Sequence, residues 1–205
     1  MKLSNTQCLL QTYLPTIPSP VTQNQLSAMC YLASLLDQVK KEQDARSCAK
    51  TGKSIPGNNN LVLLADDDCD DRELFTDVVS EISAAIHVTT VENGLQLMSH
   101  LHETGAALPS VIFLDLNMPG KSSRECLVEI KNNPRFNDIP VVIYSTSVNK
   151  KDIQETHGIG ANLYVPKPNS FKGLIAVITK VFSLDMEDLK ITPPLNQFVL
   201  SAEVM

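Results

Sequence analysis

A basic excess is missing from this chain. Lys and Arg number 17 against 23 Asp and Glu, a formal net charge of −6 over 205 residues, so the footprint that grips a phosphate backbone is absent and direct DNA binding is disfavoured. No apolar run approaches the roughly 20 residues that cross a bilayer. The opening segment, MKLSNTQCLLQTYLP, has neither the long apolar centre nor the small-residue cleavage site of a secretory leader. A cytoplasmic protein with no membrane partner is therefore expected. The five cysteines, Cys8, Cys30, Cys48, Cys69 and Cys126, make neither an even set nor a C-x-x-C pair, which excludes a disulfide framework and reads as reduced thiols.

What is present is enough apolar residue, 43 % of the chain, for one good core and an appendage. Residues 1–60 are read as an N-terminal extension. Pro15, Pro18 and Pro20 interrupt its start; Leu26, Met29, Ala33, Leu36 and Val39 then recur at helical spacing and predict an amphipathic helix over about 24–43. That helix either packs on the protein's own surface or binds a partner. A linker with Gly52, Pro56, Gly57 and three asparagines follows.

From Leu61 the pattern alternates strand and helix. Strands are predicted at 61–64, 86–91, 111–114, 139–144 and 162–165, and helices begin near Asp70, Asn93, Ser122, Lys150 and Phe171. Five βα units in about 125 residues imply a doubly wound parallel sheet with helices on both faces. The strand VIFL ends on Asp115, and Pro119 and Gly120 turn the chain just beyond it. The 185–205 stretch, with Pro193 and Pro194, reads as a tail without a clear element, too short for an independent DNA-binding domain.

The carboxyl ends of parallel strands share one edge of the sheet, so the chemistry lies in what stands there. The first strand brings Asp66 and Asp67, the third Asp115, the fourth Ser145 and Thr146, the fifth Lys167. Three converging carboxylates repel one another unless a cation neutralises them, and a hard divalent ion such as Mg²⁺ leaves coordination positions for phosphate oxygens. A lysine and a hydroxyl beside them complete a phosphoryl-accepting site. Asp68, Asp70 and Asp71 read instead as charges at a helix N-terminus. The four histidines read as structural or solvated.

These residues resemble, over residues 61–184, the receiver domain of two-component response regulators. The resemblance rests on the acidic pair Asp66 and Asp67, the motif LDLNMPG around Asp115, the hydroxyl of Ser145, and Lys167 followed by Pro168. It implies a five-stranded (βα)5 flavodoxin-like fold and Asp115 as the phosphoacceptor, supplied by a sensor histidine kinase or a histidine phosphotransfer protein. It also implies Mg²⁺ held by Asp66, Asp67, Asp115 and the backbone carbonyl of Asn117. Ser145, Thr146, Lys167 and Tyr164 would form the phosphoryl-binding and switch set, Tyr164 rotating inward behind Ser145, with a cis peptide bond before Pro168. Beyond its own phosphoryl transfer such a module is not an enzyme; it acts on a downstream protein target, and a homodimer is open to it. The chain departs from the commonest pattern in having Ser145 in place of threonine, the larger Thr146, Lys121-Ser122-Ser123 after the turn, and Pro166 before the lysine. A haloacid-dehalogenase-type phosphatase would need a second aspartate where Asn117 stands. An unphosphorylated scaffold would not need Asp66, Asp67, Asp115, Ser145 and Lys167 all intact.

Overall fold

The computed structural model describes residues 60–200. The predicted helix at 24–43 and the linker lie outside them. Five strands, β1 Leu61–Ala65, β2 His87–Val91, β3 Val111–Leu114, β4 Val141–Ser145 and β5 Leu163–Pro166, form one sheet in the order β2-β1-β3-β4-β5. Every pairing is parallel. β1 and β3 are buried almost throughout because both of their faces are covered, whereas β2, with His87, Thr89 and Thr90 exposed, is a polar edge.

The helices are α1 Cys69–Ile82, α2 Gly94–His102, α3 Ser123–Asn132, α4 Lys150–Ile159 and α5 Phe171–Ser183. Strand alternation divides the core in two. Val62, Leu64, Phe113, Val142, Tyr144 and Val165 face α1 and α5, where Phe75, Val78, Ile178 and Phe182 meet them. Leu63, Ile112, Leu114, Ile143 and Tyr164 face the other way, against Leu97, Leu101, Cys126, Leu127 and Ile130 of α2 and α3. Each of these five helices starts on a side chain that accepts from its free N–H groups: Asp68, Asn93, Ser122, Asn149 and Ser170, with Ser122 and Glu125 forming a reciprocal capping box. Among the described residues, no helix is long and apolar enough to cross a membrane.

One expectation is corrected. The 185–200 stretch is structured: it forms two single-turn helices, α6 Met186–Leu189 and α7 Leu195–Phe198. Met186 and Leu189 complete the core on the α1/α5 face, and Phe198 is buried in the core on the opposite face. Between them the chain passes round the β5 edge, where Asn162 Nδ2 donates to Lys190 O (2.8 Å) and His157 Nε2 lies 2.8 Å from Pro193 O. Single turns are too short to display a helical period, and the two prolines hid the rest.

Candidate functional site

Parallel pairing delivers the carboxyl ends of β1 and β3 side by side, and the chain moves to opposite sides of β1 to build β2 and β3. That reversal of strand order opens the crevice in which open α/β sheets hold their ligands. Asp115 N donates to Ala65 O (2.9 Å) and Asp66 N to Val91 O (3.0 Å), so both carboxylates are placed by the last rungs of the sheet. Asp66, Asp67 and Asp115 present carboxylate oxygens within 4.8 Å of one another. Asp66 and Asp115 are buried, at 0 % and 4 % exposure, and Asp67 is exposed.

The polar atoms around them are nearly all accounted for. Asp66 accepts from Asp68 N (3.1 Å) and from Lys167 Nζ (2.7 Å). Asp115 Oδ2 accepts from Asn117 N (3.2 Å), and Ser123 Oγ donates to the Asp115 carbonyl. Asp115 Oδ1 is the exception: among the described residues it is the buried side-chain oxygen left without a hydrogen-bond partner. An orphaned carboxylate oxygen costs about 1–3 kcal/mol or more for a charged group, which points to a ligand. The all-oxygen donor set and the two buried carboxylates fit a hard divalent cation.

Burial raises the Asp66 carboxyl above its ordinary value, only partly offset by Lys167. Burial pulls Lys167 the other way, downward, but its bonds to Asp66 and Asp71 and the charge of Asp115 outweigh this and hold the ammonium above its usual range. Lys167 Nζ also sits 5.3 Å from the centre of the Tyr144 ring.

The remaining expected residues fall as follows. Ser145, at the end of β4, is fully buried, and its Oγ accepts from Ser147 N (3.3 Å). Thr146 and Asn117 are exposed, and Pro168 is half-buried beside the lysine. Tyr164 is fully buried in this structure, with its hydroxyl donating to Ser147 O (2.7 Å). Asp68 caps α1, as its reading as a helix-terminal charge required. Asp71 does more than that reading gave it: its Oδ2 accepts from Lys167 Nζ at 2.7 Å. Arg72 was not singled out, yet its guanidinium donates to the carbonyls of Asp66 (2.8 Å) and Asp67 (3.0 Å) and fixes the loop that carries both. Ser123 was noted only as a departure in a loop; here it ties α3 to the Asp115 backbone. A cation five residues after the acidic pair, about one helical turn into α1, was the available sign for Arg72.

Comparison with known proteins agrees with this geometry. The model of the response regulator receiver domain matches residues 62–179. Response regulator Rcp1 of Synechocystis is 32 % identical over 131 residues, spanning 62 % of this chain and 89 % of the relative. The two-component response regulator ARR7 of Arabidopsis thaliana is 29 % identical over 144 residues, 66 % of this chain and 69 % of that one. Among solved structures, the phosphorylated cyanobacterial phytochrome response regulator RcpA superposes with a TM-score of 0.57 at 31 % identity, covering 60 % of this chain and 91 % of that chain. The Mn²⁺-bound form of Rcp1 gives 0.56 at 32 %, covering 62 % and 94 %.

Proposed function

This chain belongs to the response regulator receiver family of two-component signalling, and from that premise we propose that Asp115 is its phosphoacceptor. Proteins of the family meet histidine kinases or phosphotransfer proteins and hold a divalent metal in their acidic pocket. Here we assign the metal as Mg²⁺ and the receiver unit as residues 61–184, with 1–60 an extension and the 185–200 stretch packed onto the receiver's core. The observation that carries the reading is the unpartnered, buried Asp115 Oδ1 beside two further carboxylates.

Asp115 attacks the phosphorus of a phosphohistidine: a carboxylate O–P bond forms, the N–P bond breaks, and its electron pair returns to the donor's imidazole nitrogen. Asp66, Asp67, Asp115 and the Asn117 carbonyl would hold Mg²⁺, which would neutralise charge on the transferring phosphoryl oxygens. Lys167 exchanges a carboxylate partner for a phosphoryl oxygen. Its pairing with both Asp66 and Asp71 keeps it charged and pre-aimed. Ser145 donates a hydrogen bond from its hydroxyl to a second phosphoryl oxygen, Thr146 borders the entrance, and Tyr164 stands inward behind Ser145. The added charge, about −1.5 to −2, then biases the surface around α4, β5 and α5 toward a downstream protein target.

Intact mass after incubation with acetyl phosphate tests this on the wild-type chain and on Asp115→Asn, with and without Mg²⁺. A single Mg²⁺-dependent phosphoryl adduct, absent from the variant, is expected. An adduct that persists in Asp115→Asn moves the nucleophile elsewhere and overturns the assignment.

A further inference from the structure

Phe198 takes no part in the phosphoryl site, and its ring is fully buried. α7 seats it against the switch tyrosine: the Phe198 and Tyr164 centroids lie 6.1 Å apart at an interplanar angle of 61°. Its other aromatic neighbour is His157 on α4, at 4.9 Å and 75°. Two backbone interactions register the segment on the edge strand. Val199 bridges Tyr164 in the parallel sense, and Leu200 N donates to Tyr164 O at 2.8 Å. With His157 Nε2 against Pro193 O, the 193–200 segment is fastened at both of its ends.

From Tyr164 the connections run on toward Asp115. The tyrosine hydroxyl holds Ser147 O, Ser147 N donates to Ser145 Oγ, and Ser147 Oγ donates to Asp152 Oδ2 at 2.6 Å. Asp152 is in turn paired with Arg124 of α3. In a close-packed interior, a ring packed against Tyr164 helps to hold the place that the tyrosine occupies.

We propose that Phe198 is a positioning residue of the switch: held in place by the C-terminal segment, it keeps Tyr164 inward and with it the loop from Ser145 to Ser147. Docking of the segment and occupancy of Asp115 therefore favour each other, and linkage makes that effect reciprocal. The inference rests on the reading of Asp115 as acceptor and Ser145 as phosphoryl-binding hydroxyl.

The test uses the full chain with beryllofluoride, a non-covalent phosphoryl mimic, at saturating Mg²⁺. Affinity is followed by fluorine NMR, and hydrogen exchange is read on peptides covering 195–200. In the wild type, beryllofluoride slows exchange in that segment. Phe198→Ala weakens beryllofluoride binding by about five-fold or more and leaves Mg²⁺ affinity alone unchanged; Phe198→Leu restores most of the loss. In a Tyr164→Ala background, Phe198→Ala has no further effect on affinity. A residue with a purely structural role would lower the melting temperature of both variants without moving beryllofluoride affinity, and that result overturns the proposal. So does unchanged exchange in the wild type, which needs no variant to fold. A wild-type chain that takes up no beryllofluoride defeats the acceptor reading itself, an outcome distinct from binding that ignores Phe198.

Discussion

At the scale of single residues, two half-buried lysines meet opposite fates. Lys167 has carboxylates on two sides and stays charged. Lys131 bonds to none: its Nζ donates to Asn162 Oδ1 (2.8 Å), Ile139 O (3.0 Å) and Asn137 O (3.4 Å), all neutral acceptors, and burial, only partly offset by the charge of Asp138, pulls its pKa from 10.5 down to about 8. The unfolded chain therefore binds more protons than the folded one between about pH 8 and 10.5. Below that window the charged form carries its full desolvation cost, and through the window rising pH relieves it. Urea denaturation of wild type and Lys131→Met should show their stability difference moving in favour of wild type by about 1–3 kcal/mol from pH 8 to 10.5; a flat difference means an ordinary lysine. Sequence reading reached Asp66, Asp67, Asp115, Ser145 and Lys167 because each directly follows an apolar strand. It could not reach the Asp71–Lys167 pair, whose members stand 96 positions apart, because nothing local joins a helix's first turn to a strand four units later.

At the scale of elements, the strands were legible, the central ones from their apolar runs, and their ends differ from expectation by at most two residues, β3 not at all. Helix starts were legible wherever a capping residue preceded an apolar period, as at Asn93 and Ser122. The approach of elements to one another was not. Gly94 opens α2, and a Cβ there would stand 2.4 Å from Lys121 O and 2.6 Å from Cys126 Sγ. A helix ordinarily gains about 1 kcal/mol from alanine over glycine. Here the neighbour is backbone of the loop before α3 and cannot swing aside, so Gly94→Ala should destabilise by about 1–3 kcal/mol. A thermal melt of that variant at or above the wild-type midpoint would show that the loop yields.

At the scale of the whole molecule, the sheet concentrates carboxylates at one end, and Lys167 neutralises only part of that charge. Binding to the folded state alone adds about 2.7 kcal/mol when free ligand is 100 times its Kd. Mg²⁺ should thus raise the melting temperature of the wild-type chain in a saturable way. Asp67→Ala, which removes an exposed carboxylate from the trio, should abolish most of that rise without lowering the metal-free midpoint. Equal rises in both would place the ion elsewhere.

The path of the 185–200 stretch has one more consequence, for colloidal behaviour. A five-stranded open sheet has two edges, and an unpaired apolar edge is a template for edge-to-edge aggregation. The β2 edge is protected by its polar side chains, His87, Thr89 and Thr90. β5 has no such protection: Leu163, Tyr164 and Val165 are as apolar as an interior strand, and Pro166 interrupts only its end. The Val199 bridge and the Leu200 hydrogen bond occupy that edge with the chain's own backbone. The same few residues that reach the tyrosine thus also keep neighbouring molecules from adding a sixth strand.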